Sequence, residues 1–460
     1  MVSVNVVWFR NDLRVQDHPA LSAAMSAPGV TVGLYVMNEH WNALTSEGHP
    51  KIGDIRKRFI LESLEDLRAQ LKKLGIPLVI RHGSVTEAMT ELANVVEIRS
   101  IHYSAEPAPE EQSETAPVEA LHRGKCHRHE NYTLIHPKDL PFTIEELPNL
   151  FTTFRKAVES DWRIRPIAPL PKPQPLPEID IDPGEVPASL DLAKSPFPGG
   201  ESAALARVKH YLWDTNRLRT YKETRNGMLL LDDSSKFSPY LAHGCISARS
   251  IYWEIKRYEA ERGANDSTYW LIFELLWRDF FRFTLEKFGA KLFRRSGLQG
   301  LDLPWSRNKE HLEAWRAGRT GFPLVDAAMR ELQATGYTSN RSRQIVASFC
   351  TKNLGLDWRL GAEWFESQLV DYEVGSNYGN WQYAAGVGND AREFRLFNLK
   401  RQAQQYDPDG KFVKYWLPNR HSENLPEIVN FDQSARENRL KYERAASAMD
   451  GKSKPFGRHR

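Results

Sequence analysis

RPIAPLPKPQPLPEIDIDPGEVP, Arg165 to Pro187, divides the chain in two. Proline lacks a backbone N–H and pushes the residue before it out of the helical region, so this stretch sustains neither a helix nor a central strand. It reads as a stiff, extended connector, part of a compositional change that runs from 136 to 200, and it can join two units at a fixed distance. Upstream, VNVVWFR (Val4–Arg10), VTVGLYVM (Val30–Met37), PLVIRHG (Pro77–Gly83) and EIRSIHYS (Glu97–Ser104) are strand-like apolar runs. Between them a helix is predicted from about Asp54 to Leu74, with Leu64, Leu67, Leu71 and Leu74 at helical spacing. That alternation predicts a parallel sheet covered by helices, a doubly wound α/β domain over residues 1–135. Downstream of Gly200 the chain reads as helical. In FPLVDAAMRELQATG (Phe322–Gly336), for example, Val325, Met329 and Leu332 line one face before a glycine stop. The expected architecture is α/β plus all-α: domain 1–135, connector 136–200, helical domain 201–433 and a basic tail 434–460.

Composition bounds the chemistry. A chain of 460 residues with 41% hydrophobic and 26% charged residues is long enough for two cores and describes a soluble globular protein. Cys126, Cys245 and Cys350 are far apart and lack metal-ligand spacing, which argues against a disulfide framework or zinc site and fits a reducing compartment. The first residues run directly into strand-like sequence and no stretch approaches a membrane span, so a cytoplasmic monomer is expected. Net charge is +3, of which Ser434–Arg460 contributes +5, leaving −2 for the rest. Charge alone therefore argues little about partners. No G-x-G-x-x-G follows a strand and no G-x-x-x-x-G-K-[ST] occurs, which removes the main support for Rossmann-type dinucleotide binding and P-loop chemistry.

DYEVGSNYGNWQYAAGVGND (Asp371–Asp390) breaks the rules of an ordinary core, because acids and amides interleave with large aromatics at neither helical nor strand period. A structural loop is one reading. A ligand-facing wall is the other, since aromatic faces with a few placed polar groups describe a cofactor pocket. The helical region also holds ten of the thirteen tryptophans, and packing accounts for most buried tryptophans.

Three further segments put polar groups where packing would not: YKETRNGMLLLDDSSKFSPYLAHG (Tyr221–Gly244), ELLWRDFFR (Glu274–Arg282) and TGYTSNRSRQ (Thr335–Gln344). On their own, Ser234 to Ser238 suit a helix cap as well as a phosphate, Arg343 with Asp371 suits a buried structural pair, and Glu274 with Arg278 suits an i,i+4 ion pair. Together with WFRNDLRVQDHPAL (Trp8–Leu21) they resemble the photolyase/cryptochrome family over nearly the whole chain. Gln344 and the NYGNWQYAAGVGND run resemble the DASH cryptochromes within it.

The resemblance implies a helical FAD-binding domain. Tyr221, Ser234, Ser235, Lys236, Phe237 and Ser238 would hold the diphosphate and ribityl parts of the cofactor. Asn340, Arg343, Asp371, Glu373 and Asn377 would surround its ring and ribose edges, with Asn377 facing the flavin's reactive N5. A carboxamide there does not readily deliver a proton, which favours a reduced, anionic flavin over a neutral radical. Glu373 stands where the motif usually has Asp, and its extra methylene shifts what it can reach. The resemblance further assigns Glu274 and Trp277 to the damaged pyrimidines, and Arg225, Arg278 and Arg341 to phosphates, with Asn340 and Gln402 also at the DNA. Gln344 and Tyr383 replace the Met and Trp of other photolyases of this lineage. Stacking on an extruded base is worth ~1–3 kcal/mol, comparable to the cost of flipping it, so a more polar wall predicts preference for single-stranded or looped DNA. Trp305, Trp358 and Trp381 match the family's electron relay, in which Trp381 reduces excited oxidised flavin and is refilled in turn through Trp358 and Trp305. For the α/β domain the family implies a 5,10-methenyltetrahydrofolate antenna, with the loop residue Glu110 as a candidate ligand.

The resulting expectation is a DASH-type, FAD-dependent deoxyribodipyrimidine photo-lyase acting on cyclobutane pyrimidine dimers in single-stranded DNA, with RNA as a further candidate partner. The alternatives are a signalling photoreceptor, against which Glu274, Trp277 and Arg278 speak, and a light-independent flavin oxidoreductase, which lacks a recognisable second-substrate site.

Overall fold

The computed structural model describes residues 1–189, 195–390, 394–418 and 425–449. In chain order the first part comprises β1 (Ser3–Phe9), α1 (Pro19–Ser26), β2 (Val30–Met37), α2 (Asp54–Lys73), β3 (Leu78–His82), α3 (Val85–Val95), β4 (Glu97–Ser104), α4 (Pro109–Leu121) and β5 (Cys126–His129). The strands form one parallel sheet in the order β3-β2-β1-β4-β5. β1 and β2 are buried on both faces, which is why their sequences run apolar without alternation. β5, CHRH, was not legible because a short polar edge strand carries no hydrophobic pattern. α2 has the predicted span and buries Phe59, Leu64, Leu67 and Leu71. The capping box of Ser84 and Glu87 starts α3.

The connector is more structured than its prolines suggest, because α5 (Phe151–Ser160) lies within residues 136–200 and buries Phe151, Phe154 and Val158. Its proline-rich part has no regular element but lies along the sheet's β3 edge. There Ile80 N–H donates to Pro183 O (2.8 Å) and Gln174 N–H to Leu74 O (3.0 Å), so the exposed edge is covered.

Helices then follow without further strands among the described residues: α6 (Glu201–Lys209), α7 (Tyr221–Thr224), α8 (Ser238–Ala242), α9 (Ala248–Arg262), α10 (Asp266–Phe288), α11 (Lys309–Arg316), α12 (Pro323–Thr335), α13 (Asn340–Ser348), α14 (Trp358–Gln368), α15 (Val374–Ala385), α16 (Leu399–Tyr406), α17 (Lys411–Trp416) and α18 (Phe431–Ser447). α12 ends at Gly336 in the left-handed region (φ 68°), the predicted stop. The basic tail placed at 434–460 begins inside α18, whose Ala435, Asn438 and Tyr442 are buried, so as far as 449 this stretch is a packed helix; 450–460 lie outside the described residues.

The two parts share a core. Phe59, Leu64 and Leu71 of α2 pack in one cluster with Tyr211, Tyr240 and Leu276 of the helical part. Polar groups seal the seam. Arg14, 1% exposed, donates to Gly244 O (2.9 Å) and Asp17 O (2.9 Å). Asp17 accepts from Arg249 (2.8 and 3.0 Å) and Ser247 (2.6 Å). Asp279 on α10 accepts the backbone N–H groups of Leu134 (3.0 Å) and Ile135 (2.8 Å). The WFRNDLRVQDHPAL motif is thus largely a joint. Asp17→Asn leaves Arg249 buried without its anion and is expected to cost about 3–5 kcal/mol in urea unfolding, with part recovered by adding Arg249→Met; an unchanged midpoint would refute this role.

Candidate functional site

Within the helical part, α10, α13 and α15 converge on a cavity of about 410 Å³. α15 is a helix and not the loop that Asp371–Asp390 allowed: one of its faces carries Asn377, Trp381 and Tyr383 into the cavity, while Gly379 lets Phe281 of α10 approach closely. Gly361 on α14 does the same for Trp381, because a Cβ there would lie 2.2 Å from the indole.

Asp371, 8% exposed, accepts from Arg343 (2.8 and 3.0 Å) and from Ser238 Oγ (2.6 Å). The pair is therefore a structural clamp whose outer atoms still line the cavity. Asn377 donates one Nδ2 hydrogen to Ala362 O (3.0 Å), which leaves its amide oxygen and its second N–H for other partners. Of the Ser234–Ser238 run, Ser238 reaches the cavity wall. The carbonyls of Ser234 and Ser235 accept from Arg207 (3.2 and 2.9 Å). Lys236 adopts positive φ (56°) and places its ammonium 4.7 Å from the Tyr337 ring. Tyr211 joins Phe237 and Tyr221 edge-on at 6.0 and 6.5 Å, so those two residues form a support behind the wall.

Glu373 has a defined place. It is the N-cap of α15, accepting from the N–H groups of Gly375 (3.2 Å) and Ser376 (2.7 Å), and its carboxylate lies 3.6 Å from Arg282. Burial pushes its pKa up, but Arg282, Arg278 and the Ser376 contacts outweigh this and hold it below the usual value.

At the mouth, Glu274 pairs with Arg225 from α7's end and not with Arg278. Burial raises the Glu274 pKa against the opposing effect of Arg225. Arg278 also lines the cavity, while its guanidinium donates to the carbonyls of Tyr132 and Leu241 (the latter 3.3 Å) and braces the domain seam. Trp277 stacks on Phe151 of α5 (centroids 3.7 Å, 11°) and meets Tyr383 edge-on at 5.9 Å. Arg341 donates to Gln344 (3.0 Å), Gln402 (3.4 Å) and Asn226 (3.1 Å), so these residues form one polar network beside the exposed Asn340.

Trp381 and Trp358 are buried and Trp305 is partly exposed. Trp305 and Trp358 both donate to Arg295 O, at 3.3 and 3.1 Å, which fixes the two indoles side by side. Trp381 packs on Phe365 (5.1 Å) and Trp315 (6.0 Å), and Trp358 on Tyr378 (6.2 Å).

A second cavity, about 530 Å³, lies between the sheet and the helical part. Arg10 and Asn11 after β1 and Glu106 after β4 line it, at the switch point of the strand order where open α/β sheets bind ligands. Glu110 lines it too, but from the first turn of α4, not from a loop; it pairs with Lys51 and lies 3.5 Å from His40. Tyr372 and Glu373 line both cavities.

Sequence reasoning missed Phe151, hidden among prolines, and Asn226 and Glu331, whose roles depend on distant partners. Glu331 is 9% exposed and accepts from Thr338; burial raises its pKa to about 7, against Thr338, Lys236 and Arg343. A carboxyl with a raised folded pKa binds more protons folded than unfolded, so it makes stability fall as pH rises from 4.5 to about 7. Glu331→Gln should flatten that slope, a change on the order of 1–3 kcal/mol between pH 4.5 and 7, in urea midpoints compared across pH.

Residues 5–177 match the DNA photolyase family model and residues 270–448 the FAD binding domain of DNA photolyase. The chain is 52% identical to the cryptochrome DASH of Gloeobacter violaceus, over 90% of this chain and 85% of that one. With the cryptochrome DASH of Danio rerio it shares 47% identity, over 90% and 82%. The Synechocystis cryptochrome crystal structure superposes with a TM-score of 0.91 at 43% identity, covering 95% of this chain and 99% of that one. A bacterial class III photolyase from Agrobacterium tumefaciens gives 0.85 at 25%, covering 97% and 98%. With this sheet, this helical cavity and these relatives, the chain belongs to the photolyase/cryptochrome family, where it groups with the DASH cryptochromes.

Proposed function

We propose that the protein is a blue-light-driven photolyase that binds FAD in the helical cavity and repairs cyclobutane pyrimidine dimers, with preference for single-stranded or looped DNA. The observation that carries the reading is the shared cavity, whose wall brings Asn377 and the Asp371–Arg343 clamp together with Glu274, Trp277 and Tyr383.

The donor set fits the cofactor. Arg343 and Asn340 offer guanidinium and amide donors, the Ser238 hydroxyl oxygen and the Asp371 carboxylate keep acceptor capacity, and Asn377 presents its carboxamide. That carboxamide can hydrogen-bond without readily delivering a proton, and Glu373 fixes the helix turn that carries it. When bound, light-excited reduced FAD supplies the electron that opens the cyclobutane ring and takes it back.

The chain's own residues bind and orient. Glu274 holds its proton more tightly than an ordinary carboxyl, so it can share one with a pyrimidine carbonyl as negative charge develops there. For that, Arg225 must turn outward from Glu274 toward a phosphate, which its position at the mouth permits. Trp277, set by Phe151, and Tyr383 at right angles form the corner against which a flipped dinucleotide would lie. Arg341, held by Gln344 and Gln402, supplies a second cation nearby. The interdomain cavity, with Glu110 and Glu106 on its wall, suits a heterocycle rich in N–H donors such as a folate antenna.

The test is illumination of the reduced protein with a dimer-containing single-stranded oligonucleotide and with its duplex. Repair of the single strand should exceed that of the duplex, and Glu274→Gln should lower the repair yield roughly tenfold, ~1.4 kcal/mol. No light-dependent repair of either form overturns the enzymatic reading, and equal repair of both overturns the argument from Gln344 and Tyr383. Trp381 and Trp358, both buried, with the partly exposed Trp305 favour flavin photoreduction as a second property; if photoreduction persists without repair, the signalling alternative stands in its place.

A further inference from the structure

Trp270 lies off the wall of the helical cavity, one turn before Glu274 on α10. Its ring is partly buried and packs on Phe273 (centroids 5.0 Å, 31°), while Lys222 Nζ and the Arg225 guanidinium carbon stand 4.9 and 5.5 Å from its centre. The indole Nε1, by contrast, is buried and has no hydrogen-bond partner among the described residues. A buried indole N–H normally finds an acceptor, and a buried donor left unpaired calls for a reason. Packing explains the ring of Trp270 and leaves its N–H unexplained.

The groups around the indole narrow the choice of acceptor. Lys222 and Arg225 carry donors only, so neither can take the N–H. Asp266, one turn earlier on α10, pairs with Lys222 (2.7 Å) and its side chain is 80% exposed, whereas the indole nitrogen is buried. Glu274 is the carboxyl at i+4 on the same face, and helical side chains lean toward the N-terminus, which brings it over the turn that holds Trp270. Its Oε1 is taken by Arg225. Burial raises the acid's proton affinity, and Arg225 and the Trp270 N–H both oppose that rise, so the indole already bears on the carboxyl.

We propose that Trp270 is a positioning residue for the repair reaction: when Arg225 turns away, the Trp270 N–H takes one oxygen of Glu274 and leaves the acid's proton on the oxygen turned to the pyrimidine carbonyl. The inference rests on the repair reading of the cavity. An indole N–H only donates, so the oxygen that receives it must act as an acceptor. The carbonyl oxygen of a neutral carboxyl meets that demand, and the hydroxyl oxygen is then the one left for the substrate. The indole exchanges no proton itself; it decides which of two oxygens carries one. Its ring face serves the same motion, because a guanidinium released from a carboxylate keeps an attractive partner in an indole 5.5 Å away.

The experiment introduces Trp270→Phe, which keeps an aromatic face and loses the N–H, into the wild type and into Glu274→Ala. The reduced flavoprotein is illuminated with a single-stranded oligonucleotide carrying a thymine dimer, and the repair quantum yield and the oligonucleotide's Kd are measured. With Glu274 present, Trp270→Phe should lower the yield roughly fivefold and leave Kd within about twofold. In Glu274→Ala it should lower the yield no further, since a residue that acts through another has nothing left to act on. Equal losses in both backgrounds, the mark of a purely structural tryptophan, overturn the proposal, as does an unchanged yield in Trp270→Phe alone. A second readout needs no repair: the indole N–H resonance that Trp270→Phe removes from the proton NMR spectrum should shift when the oligonucleotide binds the wild type and stay in place in Glu274→Ala. A resonance indifferent to Glu274 overturns the proposal whatever the yields. If the shift occurs and no dimer is repaired, the repair reading fails and the contact between Trp270 and Glu274 stands; if neither is seen, both fall.

Discussion

Charge buried at the seam between sheet and helices must be paired, and that requirement organises the molecule. Taking an ion out of water costs several kcal/mol unless partners surround it. Along this seam Arg14, Asp17, Arg249, Glu106 and Arg282 are all at most 8% exposed, and each has a partner. Apolar packing alone would let the two parts slide, because Phe59, Tyr240 and Leu276 attract without direction. Ion pairs with fixed geometry do not slide. They set the distance between the switch point of the sheet and α10, and hence the interdomain cavity.

The same constraint reaches the helical cavity through one side chain. Arg282 on α10 donates to Glu106 (2.7 Å) after β4 and lies 3.6 Å from Glu373, which caps α15. The first turn of α15 is therefore held from the α/β side, and Asn377 sits one turn further on. Phe281, the neighbour of Arg282, packs against Gly379 on the same helix. An ion pair and a close aromatic contact thus locate α15 against α10, which leaves its remaining face for the cavity.

What was legible in the sequence follows from how local each cause is. β1 and β2 announce themselves because burial on both faces demands unbroken apolar runs, and Gly336 because a left-handed residue ends α12. α5 did not, since its three buried residues lie between proline-bearing flanks. α18 was read as a basic tail because Ala435, Asn438 and Tyr442 make a sparse buried stripe among charges, whereas tertiary contact, not pattern, holds it. Helical spacing correctly put Glu274 and Arg278 on one face, but partners 49 and 146 residues away, Arg225 and Tyr132, took them in different directions. Family likeness carried the cavity residues as a set; it could not say which of them hold each other and which face open space.

Glu373 shows why that distinction matters. An N-cap needs one short acceptor near the helix start, and Asp, Asn or Ser supplies it well. Here the capping carboxylate must also stay near Arg282, whose nearest anion is Glu106. The extra methylene gives Glu373 reach in both directions, with one oxygen on Ser376 and the other on Gly375 and toward the guanidinium. A shorter side chain would keep the cap and lengthen the ion contact, leaving Arg282 to Glu106 alone. The departure from the usual motif is then a property of the seam more than of the cofactor: the residue reads as part of a flavin pocket in the sequence and acts as the last link of a chain of buried charge that begins at the sheet.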